Sequence, residues 1–197
     1  MTANYHKPPV PVFIFMGTSG CGKSSVAAAC QKILGCEVLE GDELHPKANI
    51  DKMSKGIPLV DDDRWPWLNI IRDAFSERAE ALYDNPDVDE KSPKRAVMVT
   101  CSSLRRSYRE LLSKVNATKV SVTFVYLKGS PELLQARMAA RHNHFMLAGM
   151  LNSQLNTLEE PDQRTENVIV APIDPPTDAI AKKVVNEAKE RHILYIE

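Results

Sequence analysis

The chain has 197 residues, with 25 Lys or Arg against 26 Asp or Glu and a net charge of −1. At 43% hydrophobic it has enough apolar material for one ordinary core. The balanced charge offers no field for a nucleic acid, and no apolar run approaches the roughly eighteen residues of a membrane span. The expected partner is therefore a small molecule.

The N-terminus has no apolar stretch behind a basic start, so no secretory signal is read there. Cys21, Cys30, Cys36 and Cys101 contain no CxxC pair, which fits reduced thiols and a cytoplasmic protein. Residues 1–11, rich in proline, are expected to form a flexible tail. Residues 12–16 are an apolar run of aromatic and β-branched types, the pattern of a buried strand.

Gly17-Thr18-Ser19-Gly20-Cys21-Gly22-Lys23-Ser24 then fits G-x-x-x-x-G-K-[ST], the Walker A or P-loop pattern. Glycines allow backbone conformations that a Cβ forbids, so successive N–H groups can turn inward on phosphate oxygens. The helix opening at Lys23, Ser24 and Ser25 adds free N–H groups and the positive end of its dipole. Its apolar face is carried by Val26, Cys30, Ile33 and Leu34, with Gly35 as the stop. Lys23 is expected on the β- and γ-phosphates of ATP and the Ser24 hydroxyl on Mg²⁺.

Residues 36–40 read as a second strand and 46–54 as a short helix. Asp61, Asp62 and Asp63 precede a long helix to about residue 83, where the dipole favours acids. Residues 84–95 are polar and aperiodic, a surface loop. Strands follow at 96–101, 120–127 and 168–171, with helices at 104–115, 130–141 and from Thr177 onward. Residues 142–165 are polar and are assigned to a candidate lid. This alternation predicts an α/β P-loop NTPase fold: a parallel five-stranded sheet, helices on both faces and a small lid, in one domain.

The strand at 96–101 ends Thr100-Cys101-Ser102-Ser103, without the acid that motors and switches carry, and no N-K-x-D for guanine is present. A kinase of a small metabolite is the better reading. Arg64 has the fork geometry that matches a carboxylate, or it pairs with Asp61–Asp63. Asp42 is an orienting acid at a strand's carboxyl end, or a helix cap. Arg105, Arg106 and Arg109 set three cations at a helix start, against the dipole, which fits an anionic partner or a solvated basic face.

The segment Gly41-Asp42-Glu43-Leu44-His45-Pro46, with Asn49-Ile50, Lys52-Met53, Gly56, Pro58-Leu59, Asp61, Asp63-Arg64 and Pro66-Trp67-Leu68, resembles gluconate kinase (gluconokinase). Cys101-Ser102-Ser103-Leu104, Tyr108-Arg109, Tyr126-Leu127-Lys128-Gly129, His144-Phe145 and Leu158-Glu159-x-Pro161 extend the resemblance over residues 12–176. The family is similar in fold to shikimate kinase and adenylate kinase. The resemblance implies transfer of the ATP γ-phosphoryl group to the 6-hydroxyl of D-gluconate. It implies Asp42 at that hydroxyl, His45 on sugar hydroxyls and Arg64 on the C1 carboxylate; of the cations at the helix start, Arg106 is the choice for a second substrate contact. It further implies Arg137 on adenine, Arg141 on the charge of the moving phosphoryl group, and a homodimer, although no residue pattern marks an interface. Rival readings are another small-molecule kinase, for a hydroxy acid such as shikimate or for a nucleoside monophosphate, and a nucleotide-binding regulator that transfers nothing.

Overall fold

The computed structural model describes residues 6–140 and 147–195. Its strands are β1 (Val10–Met16), β2 (Glu37–Glu40), β3 (Val97–Thr100), β4 (Val120–Lys128) and β5 (Val168–Pro172). The helices are α1 (Lys23–Leu34), α2 (Lys47–Ser54), α3 (Asp61–Asp84), α4 (Arg106–Leu112), α5 (Pro131–Ala139), α6 (Leu147–Thr157) and α7 (Thr177–Glu190). All five strands are parallel in the order β2-β3-β1-β4-β5. Every residue of β1 is buried, as a central strand covered on both faces requires.

Alternate residues of β1 feed two cores. Phe13 and Phe15 pack with Val26, Cys30 and Leu34 of α1 and Ile180 and Val184 of α7. Val12, Ile14 and Met16 pack with Trp67, Leu68, Ile71 and Phe75 of α3 and with Tyr108 and Leu112 of α4. The sheet is thus held from both sides, and its carboxyl edge is free to carry loops.

The structure adjusts several boundaries. β1 begins at Val10, inside the expected tail; Pro11 is accommodated because pairing with β3 starts only at Val12. The loop at 84–95 is present, but Arg95 at its end is buried and donates to the Pro8 carbonyl oxygen. α4 is shorter than the expected 104–115. The candidate lid at 142–165 contains the helix α6, whose Leu151 is fully buried. Arg141, His144 and Phe145 lie outside the described residues.

Candidate active site

The end of β1 turns into α1 through the P-loop at the carboxyl edge of the sheet. Gly17 has φ +134°, and a Cβ there would stand 2.9 Å from Cys21 Sγ and 3.1 Å from the Leu127 carbonyl oxygen. Only glycine fits that turn. Gly22 caps α1 in the left-handed region with φ 95°, which brings the first free N–H groups of the helix to the loop. Cys21 is buried, and desolvation raises its thiol pKa despite the pull of Lys23 and Arg137. It therefore serves through its backbone and packing, not as a reactive thiolate. Ser19 and Gly20 are half-buried at the loop's crown, Thr18 is buried, and Ser25 is exposed in the first turn of α1.

Lys23 Nζ donates to the carbonyl oxygens of Gly17 and Thr18, each at 3.2 Å, so the ammonium lies across the loop. Ser24 Oγ donates to Glu40 Oε2 at 2.9 Å, and Thr100 Oγ1 donates to the same oxygen at 2.6 Å. Glu40 was missed in the sequence because an acid was sought at the end of β3. The pairing of β2 with β3 places Glu40 opposite Thr100, so the carboxylate comes from the neighbouring strand's end.

Immediately beyond β2 the chain makes one 3₁₀ turn, Gly41–Leu44. Gly41 N–H donates to Thr100 Oγ1 at 3.2 Å, and Trp67 Nε1 donates to the Gly41 carbonyl oxygen at 2.8 Å. A Cβ at Gly41 would stand 2.1 Å from the Thr100 carbonyl oxygen, so the turn is clamped against β3. Asp42 is thereby fixed at the sheet edge. The N-cap of α2 is Pro46, which removes the capping role considered for Asp42. Among the described residues the Asp42 carboxylate accepts no hydrogen bond, and it stays exposed to the cleft.

That cleft, about 250 Å³, is lined by Ser19, Lys23, Asp42, His45, Arg64 and Gln154 among others. His45 stacks on Trp67 with ring centroids 4.0 Å apart. The buried Asn49 gives one amide hydrogen to the Asp63 carbonyl oxygen and approaches His45 Nδ1 at 3.3 Å. An amide nitrogen can only donate, so Nδ1 accepts and the proton sits on Nε2.

Desolvation lowers the His45 pKa; Asp42 pulls it up less strongly and Arg64 adds to the depression. The folded state therefore favours the neutral ring, and the unfolded chain binds more protons below its ordinary value of about 6.5. This contribution to stability is complete above about pH 6.5 and declines as pH falls through the folded value. A His45→Gln variant is expected to lose less melting temperature than the parent between about pH 7 and 5 by calorimetry. Equal losses in both proteins would assign the dependence to another group.

Arg64 lines the same cleft. Its Nη1 donates to Tyr108 Oη at 3.4 Å and lies 3.8 Å from Asp61 Oδ1, a loose pairing that leaves the fork available. Asp63 is engaged elsewhere, by Lys52 Nζ at 2.5 Å and by Val60 N–H. Asp61 accepts from Tyr108 Oη and from Arg105 Nη1, the latter at 2.7 Å. The carboxylate so shared holds both arginines in place.

Arg106 is not brought to the cleft. Its side chain pairs with Glu110 at 3.0 Å one helical turn on, while its N–H donates to Glu159. Since α4 begins at Arg106, that side chain follows the helix surface, whereas Arg105 stands before the helix and reaches Asp61. Arg105 and Arg64 line a second hollow, which shares Pro58, Leu59 and Ser153 with the first. Arg109 is buried in a bidentate pair with Glu166 and ties down the Ser103 and Leu104 carbonyl oxygens. It builds the loop after β3 and is not a free cation.

Arg137 runs beside the P-loop: its Nη2 donates to the Ile173 carbonyl oxygen at 2.6 Å, and its Nη1 lies 3.9 Å from where a Gly22 Cβ would stand. Of the sequence-chosen residues, the structure thus brings together the P-loop, Lys23, Ser24, Asp42, His45 and Arg64, with Arg137 behind the loop. Glu40, Arg105 and Gln154 are additions.

A family model described as an AAA domain matches residues 12–161. The chain is 37% identical to the thermoresistant gluconokinase of Escherichia coli over 179 residues, 91% of this chain and 94% of that protein. It is 41% identical to the gluconokinase of Gluconobacter oxydans over 148 residues, 75% of each. A solved gluconokinase structure from Sinorhizobium meliloti matches with a TM-score of 0.72 at 35% identity, covering 94% of this chain and 98% of that one. Likeness of this extent, joined to a phosphate loop and Asp42 on one cleft, means that the chain belongs to the gluconokinase family.

Proposed function

We propose that this protein transfers the γ-phosphoryl group of ATP to the 6-hydroxyl of D-gluconate, releasing 6-phosphogluconate and ADP. The observation that carries the reading is Asp42, without a hydrogen-bond partner among the described residues, in the same cleft as Lys23 and Arg64. A hydroxyl held by Asp42 meets phosphates held by the loop, and Arg64 lies where a fork can take the far carboxylate. Such transfer depends mainly on position and on stabilising charge. Asp42 orients the hydroxyl and takes its proton as the new P–O bond forms. Lys23 leaves the Gly17 and Thr18 carbonyls for the polyphosphate, and Arg141 is assigned to charge on the moving group. His45 offers Nε2–H to a sugar hydroxyl, Arg105 reinforces Arg64, and Arg137 holds the base. The segment 142–165 serves as the lid that excludes water, with its end from Leu151 onward as the fixed base.

The Ser24 hydroxyl and the Glu40 carboxylate form a hard-oxygen pair beside the phosphate loop, which suits Mg²⁺. When bound, the ion supplies positive charge to the β- and γ-phosphates. Glu40 holds Ser24 and Thr100 in register. A Glu40→Gln variant is therefore expected to need about 10- to 100-fold more Mg²⁺ for half-maximal turnover. An unchanged Mg²⁺ titration would remove Glu40 from that role. Four buried free cysteines suit a reducing cytoplasm.

The test is ADP release in a coupled assay with gluconate, shikimate and AMP offered separately. Gluconate is expected to be turned over fastest. Faster turnover with shikimate or AMP, and none with gluconate, would overturn the assignment.

A further inference from the structure

Gln154 makes a contact that nothing above accounts for. Its Oε1 accepts the backbone N–H of Ser19, in the P-loop, at 2.6 Å across 135 residues of sequence. The side chain sits on a firmly held stretch of α6. Leu151 is fully buried, Leu155 packs on the same core, and just past the helix Glu159 N–H donates to the Leu104 carbonyl oxygen at 2.9 Å. Only the oxygen of a side-chain amide can accept, so this bond fixes which way the group is turned. The Nε2 hydrogens have no partner among the described residues, and Gln154 lines the cleft with Lys23, Asp42, His45 and Arg64.

We propose that Gln154 is an acceptor-positioning residue, its Oε1 tied to the P-loop through Ser19 and its Nε2 donating to a hydroxyl of the polyhydroxy acid. One side chain then spans the two substrates' sites and sets the acceptor's distance from the phosphates. A change of even about 1 Å in such alignment costs on the order of a hundredfold in rate. The inference rests on gluconate being the acceptor, as proposed above.

The experiment compares the parent with Gln154→Ala and Gln154→Met, the second keeping bulk without hydrogen bonds. Four quantities are measured: melting temperature, affinity for a fluorescent ATP analogue, kcat/KM for gluconate, and ADP release without gluconate. Expected are a melting temperature lowered by no more than about 4 °C, as for the loss of one hydrogen bond in a chain of this size, and analogue affinity within about threefold. Against that, kcat/KM for gluconate falls about 10- to 100-fold in both variants. The ratio of gluconate-dependent to gluconate-independent ADP release falls with it. If kcat/KM stays within twofold, or falls only in step with analogue affinity, Gln154 merely props the loop and the proposal fails. Parent turnover with gluconate is the control: its absence overturns the functional reading and this inference together, whereas its presence beside unaffected variants overturns this inference alone.

Discussion

Replacing Asp42 by Asn is expected to lower kcat by roughly 10²- to 10⁴-fold, the range for losing a positioned proton acceptor. At the middle of that range the barrier rises by about 4 kcal/mol. The variant keeps the size and polarity of the side chain, and Asp42 is exposed with no hydrogen bond among the described residues. Its melting temperature is therefore expected to stay within about 2 °C of the parent's. The clamp on Gly41 from Thr100 and Trp67 does not involve the Asp42 side chain, so the turn survives the change. Steady-state kinetics beside thermal melting checks both halves. Full turnover with Asn at this position would transfer the proton to another group and reduce Asp42 to a bystander.

The second large effect is at Lys23. In a Lys23→Met protein the stem still packs, but the cation across the loop is lost. A donor aimed at developing charge is worth about 10²- to 10³-fold in kcat, and the ammonium adds attraction for the phosphates in the ground state. Both kcat and affinity for ATP are therefore expected to fall, unlike Asp42→Asn, where nucleotide affinity holds. Titration with a fluorescent ATP analogue separates the two. Undiminished affinity and turnover would show that the loop amides alone carry the phosphates.

How much of this was readable in the linear chain follows from how local each signal is. The P-loop is local: strand, glycines, Lys23 and Ser24 follow one another within residues 10–24, and the structure shows the strand, loop and helix that the pattern implies. Asp42 and Arg64 were legible as residue types, because an acid after a strand and a fork-shaped cation suit an alcohol and a carboxylate. Glu40 was not, since its partnership with Ser24 and Thr100 depends on β2 lying beside β3, and strand order leaves no mark in a single sequence. The different surroundings of Arg105 and Arg106 were hidden for a related reason. The helix begins at Arg106, so Arg105 stands before it on extended backbone and reaches Asp61, while Arg106 pairs with Glu110 one turn on. Residues 142–165 contain Leu147, Met150, Leu151 and Leu155 at helical spacing, a signal for α6 that the polar residues on either side of it mask. Gln154 was therefore invisible until its contact with Ser19 could be seen.

The most direct measurement is a crystal structure with a non-hydrolysable ATP analogue and gluconate bound together. The account predicts the 6-hydroxyl on Asp42 and aligned with the γ-phosphorus, the C1 carboxylate on Arg64, and the polyphosphate within the amides between Gly17 and Ser24. A sugar acid bound with its carboxylate toward the phosphates, or with no hydroxyl within reach of Asp42, would contradict it.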